Sequence, residues 1–166
     1  MNQKHYEDYL KILKEELVPA MGCTEPIAIA YAAAVARKEL GSLPDRVEIQ
    51  VSGNIIKNVK SVIVPNTGGL RGIEAAAAAG IVVGDPELEL RVIAEVEEKE
   101  KQKIYDFINS VPISVEFADN GNIFDIMVTL YAKEESSYIR ICGFHTNIVI
   151  LTYFNNISVE TADTYI

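Results

Sequence analysis

Residues 113–153, ISVEFADNGNIFDIMVTLYAKEESSYIRICGFHTNIVILTY, decide the fold class of this chain. Valine, isoleucine, threonine and aromatic residues are concentrated in short runs of this stretch, and these residue types favour strands. The pair Asn120-Gly121 is a strong signal for a turn between two of these runs. The stretch therefore predicts a mostly antiparallel sheet with strands at 113–117, 124–132, 138–142 and 147–153.

The residues before this stretch predict mainly helices. Residues 27–36 (IAIAYAAAVA) and 73–79 are rich in alanine, and a helix that is apolar on all sides is typical of a protein interior. An amphipathic first helix is predicted from Tyr6, Leu10, Leu13 and Leu17, and a long helix from 87–109. Strands are predicted at 46–52 and 59–64. Because helices come first and strands last, we expect an α+β fold with alanine-rich buried helices followed by the sheet.

Length and charge limit the classes of function. The 166 residues predict one domain, 1–166, of which 1–84 is mainly helical with motif loops and 85–166 is a helix plus a strand-rich part. The formal net charge of −9 repels phosphate backbones, so we expect no nucleic-acid partner. No run reaches the ~20 apolar residues of a membrane span, and the first ten residues lack the apolar core of a signal peptide. Two cysteines, Cys23 and Cys142, fit a reducing compartment, so we expect a cytoplasmic protein without membrane contact.

Cys23 lies in the sequence Gly22-Cys23-Thr24-Glu25-Pro26, directly before a predicted helix. Thr24 is expected to begin that helix and to cap it with its hydroxyl. Unpaired backbone N–H groups and the helix dipole favour a thiolate at this position, which lowers the pKa of the thiol. A metal ligand or a nucleophile needs such a thiol. A small buried cysteine at a tight turn explains the same pattern equally well.

Three other segments carry polar groups suited to binding. Residues 66–72 (NTGGLRG) lead into a helix, where glycines let backbone amides approach an anion. Residues 52–58 place amide and ammonium donors after a strand, and 143–147 (GFHTN) place His145 between two strands. A histidine there can act as acid or base or bind a carboxylate. The alternatives are a simple turn, a polar loop or short helical turn, and a structural histidine.

Three of these segments together resemble a known enzyme family. Residues 22–36 (GCTEPIAIAYAAAVA), 52–69 (SGNIIKNVKSVIVPNTGG) and 143–149 (GFHTNIV) occur in family-like order and spacing. They resemble the amino-terminal part of L-cysteine desulfidases, which are similar to the alpha part of iron–sulfur-dependent L-serine dehydratases. Bacterial proteins without an assigned activity share the pattern.

The resemblance implies a lyase that eliminates sulfide from L-cysteine or water from L-serine and yields pyruvate and ammonia. It also implies a [4Fe–4S] cluster, with Cys23 as one metal ligand. His145 is then the best candidate for the catalytic base. The expected substrate-binding residues are Glu25, Asn54, Lys57, Asn58, Thr67, Gly68, Gly69, Thr146 and Asn147.

This chain departs from the family pattern in length. Family members are much longer, and their other cluster cysteines lie in a carboxy-terminal half, so we expect a missing half or a partner subunit. We also expect exposed apolar surface on the alanine-rich helices, and self-association. Cys142 is interpreted as a core residue. The alternatives to a lyase are a non-enzymatic amino-acid-binding or regulatory domain and an inactive fragment.

Overall fold

The computed structural model describes residues 3–16 and 22–155 of the protein, and both helices and strands contribute to its core. The helices are α1 (Gln3–Glu16), α2 (Thr24–Leu40), α3 (Gly53–Val59), α4 (Gly72–Val83) and α5 (Glu98–Ser110), with a 3₁₀ segment at Pro86–Arg91. The strands are β1 (Arg46–Val51), β2 (Ile113–Phe117), β3 (Asp125–Ala132), β4 (Glu135–Cys142) and β5 (Ile148–Asn155). Leu17, which was included in the predicted first helix, lies outside the described residues.

The strands form one sheet in the order β2-β1-β3-β4-β5. The β1–β2 pair is parallel and the other three pairs are antiparallel. The predicted α+β fold with a mostly antiparallel sheet is therefore confirmed. Strand β1 is an interior strand, because it lies between β2 and β3, which both come much later in the chain.

One face of the sheet is buried beneath the helices. Val47, Ile49 and Val51 alternate along β1 and are fully buried, since successive side chains of a strand point to opposite faces. On the same face, the Ser137 hydroxyl in β4 donates a hydrogen bond of 2.8 Å to the carbonyl oxygen of Ala36 in α2. The opposite face carries polar side chains, of which Glu48, Ser114, Glu116 and Tyr138 line a small cavity of about 160 Å³.

Helices α2 and α4 pack on each other at very short range. A β-carbon added to Gly80 of α4 would lie 2.0 Å from the carbonyl oxygen of Ala30 in α2. Almost all of the alanines in both helices are buried. The expectation that the alanine-rich helices expose the chain's apolar surface is therefore wrong, because these helices bury each other's small side chains.

The predicted strand at 59–64 is also wrong. Residues 53–59 form the short helix α3, which buries Ile55 and Val59 at helical spacing. Beyond this helix, Ile63 forms an isolated antiparallel bridge with Arg71, and the bridge does not extend into a strand. Val59 and Val64 are buried on the end of this helix and on a loop, so their strand propensity does not decide the local structure.

The predicted long helix over 87–109 is broken in the structure. The 3₁₀ segment Pro86–Arg91 contains Glu89 with a φ of 47°, which a continuous α-helix does not allow. Helix α5 begins only at Glu98, after a capping box formed by Glu97 and Glu100. The capping box gives the backbone N–H groups of the new helix start their partners, so α5 begins independently.

Large apolar side chains remain exposed on two elements. On α1 they are Tyr6, Tyr9, Leu10, Ile12 and Leu13, and on β5 they are Val149, Ile150, Leu151, Tyr153 and Phe154. Within the described residues, no helix is both long and apolar enough to cross a membrane. The two largest groups of exposed apolar side chains therefore lie on α1 and β5.

Candidate functional site

The turn before α2 sets the position of Cys23. Gly22 has a φ of 143°, a backbone conformation that favours glycine. Cys23 follows with an extended backbone and occupies the N-cap position, and the helix begins at Thr24 as expected. No side chain caps this helix, so the expected capping hydrogen bond from Thr24 is wrong.

The carboxylate of Glu25 lies at the centre of the candidate site. The thiol of Cys23 donates a hydrogen bond to Oε2 of Glu25 at 3.1 Å. The side-chain amide of Asn58, in α3, donates to Oε1 of the same carboxylate, also at 3.1 Å. Each carboxylate oxygen therefore has one partner, and the two partners come from different segments of the chain.

His145 approaches the same carboxylate from the loop between β4 and β5. Its ring packs against Phe124, with 4.6 Å between ring centroids and an angle of 60° between the planes. The backbone N–H of Gly143 donates to the carbonyl oxygen of Phe124 at 3.0 Å, which holds the loop against the start of β3. The charge of Glu25 acts on the imidazole of His145. Segments 22–26 and 53–59 thus meet at one carboxylate, and segment 143–147 lies near enough for the charge of Glu25 to act on His145.

The thiol of Cys23 is less acidic than the sequence suggested. Partial burial of the sulfur raises the pKa of Cys23, and the hydrogen bond and negative charge of Glu25 raise it further. A backbone N–H at the helix start acts in the opposite direction without outweighing these effects. The expectation of a lowered thiol pKa is therefore wrong, because burial and then the neighbouring carboxylate favour the neutral thiol.

The pKa shifts of Glu25 and His145 have different causes from that of Cys23. Burial disfavours the charged form of Glu25, but hydrogen bonds from Cys23, from the backbone and from Asn58 outweigh it and lower the pKa of the carboxyl. Burial lowers the pKa of His145, and the charge of Glu25 opposes this only in part. Near neutral pH the site therefore holds a carboxylate, a thiol and an uncharged imidazole.

The glycine loop, residues 66–72, lies mostly to one side of the group formed by Cys23, Glu25, Asn58 and His145. Pro65, directly before this loop, lies 3.9 Å from the position of a β-carbon built on Gly22. The hydroxyl of Thr67 is buried and donates to the carbonyl oxygen of Val64 at 2.8 Å. Gly68 faces the side chain of Lys101 in α5, and Gly69 is exposed. This loop therefore approaches Gly22, beside Cys23, through Pro65. The hydroxyl of Thr67 already has its hydrogen-bond partner in Val64.

The remaining predicted residues lie on α3 and on the histidine loop. Asn54 and Lys57 are exposed on α3, and Asn54 is one helical turn before Asn58. Asn147 donates its side-chain amide to the carbonyl oxygen of Cys142 at 2.8 Å, which closes the loop. Thr146 is half-buried in the same loop. Asn54 and Lys57 thus lie on the same helix as Asn58, while Asn147 maintains the shape of the histidine loop.

A buried ion pair that sequence reasoning missed supports the position of Phe124. Asp125 is fully buried and accepts hydrogen bonds from Nη2 of Arg140 at 2.6 Å, from Asn120 at 2.7 Å and from Asn122 at 2.9 Å. These bonds fix the turn that precedes β3 and therefore the residue before Asp125. The sequence signal was the pair of asparagines around Gly121, which was interpreted only as a turn.

The described residues do not form a complete metal site. Within residues 3–16 and 22–155, no group of three or more His, Cys, Asp or Glu side chains is arranged to hold a metal ion. Cys142 is half-buried in β4, and both cysteines are free thiols. A [4Fe–4S] cluster needs several cysteine ligands, so the described part of this chain cannot hold one by itself.

Comparison with known proteins places the chain beside a family of longer proteins. No protein-family model matches it. It is 54% identical over 160 residues to a UPF0597 protein of Desulfitobacterium hafniense (strain Y51), a match that covers 96% of this chain and 37% of the relative. The chain is similar to UPF0597 proteins. A UPF0597 protein of Treponema denticola is 43% identical over 151 residues, which are 91% of this chain and 35% of the relative. Another, of Finegoldia magna, is 44% identical over 147 residues, which are 88% of this chain and 35% of the relative.

These matches correct the resemblance inferred from short motifs. The chain spans about a third of the length of the UPF0597 relatives it matches. The assignment to L-cysteine desulfidases or to the alpha part of L-serine dehydratases is wrong, because the relatives matched over most of the chain carry the UPF0597 name and nothing ties the chain to those enzymes. Identity over about 150 residues outweighs three motifs, and the UPF0597 name states no activity.

Proposed function

We propose that this chain carries part of the active site of a lyase that eliminates sulfide from L-cysteine or water from L-serine. The observation that supports this proposal is the meeting of three sequence-distant segments around the carboxylate of Glu25. A purely structural role for a half-buried carboxylate would not need an exposed thiol and an imidazole beside it. The same grouping suits the binding and deprotonation of a small zwitterion.

The protonation states of Glu25 and His145 match the first step of such a reaction. An uncharged imidazole near neutral pH can accept the α-proton of the substrate, and the lowered pKa of His145 keeps it uncharged. The ionised Glu25 can accept a hydrogen bond from the substrate's ammonium group, and Lys57 with Asn54 can bind its carboxylate. Loss of the α-proton together with hydroxide from serine or hydrosulfide from cysteine releases water or hydrogen sulfide and gives aminoacrylate, which tautomerises to an imine and is hydrolysed to pyruvate and ammonia.

The proposal includes a [4Fe–4S] cluster only for a longer protein of the UPF0597 type. In that protein Cys23 would supply one ligand, and the other ligands would come from outside the described residues. A cytoplasmic location is part of the proposal, because both cysteines are free thiols and free thiols persist in a reducing compartment.

The test is pyruvate formation under anaerobic conditions from L-cysteine and from L-serine. The chain is co-expressed with the part of the Desulfitobacterium hafniense relative that the match does not cover, and iron and sulfide are supplied. His145→Gln should lower turnover by about 10²-fold or more, since loss of a catalytic acid–base group has this effect. Cys23→Ser should abolish turnover, because it removes the proposed cluster ligand. The matched controls Cys142→Ser and His5→Gln, which alter the other cysteine and the other histidine, should leave turnover unchanged.

Normal pyruvate formation by Cys23→Ser and His145→Gln would refute the site. Thermal stabilisation of the chain by L-cysteine or L-serine in air, without iron and without turnover, would instead support the amino-acid-binding domain considered from the sequence.

A further inference from the structure

The outer strand β5 has the composition of an interior strand. Its eight residues, IVILTYFN, carry no charge, and large apolar side chains on both of its faces are exposed. Leu151 and Tyr153 lie on the helix-covered side, while Ile150 and Phe154 lie on the opposite side. Proteins usually protect an outer strand with charged residues, proline or a covering element, because its free backbone groups can pair with another strand.

The opposite edge of the sheet shows the usual protection. Strand β2 carries Ser114 and Glu116 on the polar face of the sheet and is only five residues long. Its exposed Phe117 packs next to Gly53 at the start of α3. The contrast between the two edges indicates that β5, and not β2, is built to receive another strand.

Two further features, one in β5 and one next to it, also indicate that β5 receives another strand. The side-chain oxygen of Thr152 is buried and has no hydrogen-bond partner among the described residues, and cross-strand threonine pairs supply such partners. A cleft of about 300 Å³ lies along the helix-covered side of the strand, between α2 and the 3₁₀ segment Pro86–Arg91. Tyr31, Val35, Ile148 and Leu151 provide its apolar wall.

We propose that β5 and this cleft are the docking surface for the part of a longer UPF0597-type protein that lies outside this chain, which adds a strand to the sheet at β5. The relatives supply the occupant, because more than half of each relative's length lies outside the match and is available to pack against the matched part. An added strand would also run beside the loop 143–147, since β5 begins three residues after His145. This inference concerns assembly and does not depend on the proposed lyase activity.

The test measures association and backbone protection, not turnover. The tagged chain is co-expressed with the separate remaining part of the Desulfitobacterium hafniense relative, co-purified, and its affinity measured by titration. Phe154→Lys, on one face of β5, and Leu151→Lys, on the other, should each weaken binding at least about tenfold, as expected for a central contact. The matched control Phe117→Lys, which alters an equally exposed phenylalanine (58% against 57%) at the opposite edge, should not weaken it.

Hydrogen exchange of the unmodified chain provides a second measurement that needs no variant. The β5 amides that point away from β4 should exchange rapidly in the free chain and become protected on binding, while those of β2 should not change. Failure of the unmodified chain to co-purify, unchanged exchange in β5, or equal weakening by Phe117→Lys would each overturn the proposal. Dimerisation of the chain through β5 without binding of the remaining part would overturn it as well.

Discussion

Replacing Gly80 with alanine places a methyl group directly against the backbone of α2. The new β-carbon would lie 2.0 Å from the carbonyl oxygen of Ala30 and 2.7 Å from its carbonyl carbon. Neither atom can move aside as a side chain would, so α4 must shift by about 1 Å to restore an ordinary contact distance. A gap of this size between packed surfaces removes a quarter to a half of each dispersion contact.

The expected cost follows from two opposing effects. Overpacking of a well-packed interior costs about 1–3 kcal/mol, and we take the upper end because the obstacle is backbone. Alanine gains about 1 kcal/mol over glycine in a helix interior. The net loss of unfolding free energy for Gly80→Ala is therefore about 2 kcal/mol, or about 4–8 °C in Tm for a chain of this size.

Urea unfolding followed by far-ultraviolet circular dichroism measures this loss. The double variant Ala30→Gly/Gly80→Ala is the decisive comparison, because removing the Ala30 side chain leaves its carbonyl group in place. The double variant should be less stable than either single variant. Recovery of the original stability in the double variant, or a Gly80→Ala chain as stable as the original, would refute the reasoning.

Three other expectations concern ionisable groups. In a Cys142→Ser background, Glu25→Gln should speed alkylation of Cys23 by iodoacetamide at pH 8, because the raised pKa of Cys23 depends partly on Glu25; an unchanged rate would contradict this. Asp125→Asn should lower the unfolding free energy by about 2–3 kcal/mol at pH 7, since it removes the buried partner of an ion pair. Burial raises the pKa of Asp125 but hydrogen bonds outweigh it, so the net pKa is lowered. This difference should therefore be present above about pH 4 and vanish as pH falls through the lower folded-state pKa in urea titrations. Proton NMR titration of His145 should give a pKa below the ordinary histidine value, and Glu25→Gln should lower it further; a rise would contradict the charge interaction.

Local patterns were sufficient to predict most of the fold. The strand 113–117 and the helix start at Thr24 follow from alternation and from a helix-start sequence, and both are present in the structure. The segment 59–64 was misassigned because β-branched residues also suit buried positions on a short helix. The break at Glu89 depends on a single positive φ that its sequence does not indicate.

The candidate site was only partly predictable. Cys23, Glu25, Asn58 and His145 were all selected from the sequence, yet their meeting depends on tertiary packing that no spacing reveals. The direction of the Cys23 shift was wrong because a helix start favours a thiolate whereas the carboxylate of Glu25 opposes one. The pKa of Cys23 is raised first by burial and then by a hydrogen bond of 3.1 Å, and both depend on tertiary structure.

The interior position of β1 has a consequence for biosynthesis. Its partners are made much later, since Gln50 pairs across the sheet with Glu116, 66 positions away, and Glu48 contacts Tyr131, 83 positions away. At about 5–20 residues per second, a ribosome leaves β1 without either neighbour for roughly 3–15 seconds. During that interval Val47, Ile49 and Val51 have only helices to pack against, because α1 to α5 are all translated before β2. The helical layer is thus complete in time to cover the nascent strand before the rest of the sheet has been translated.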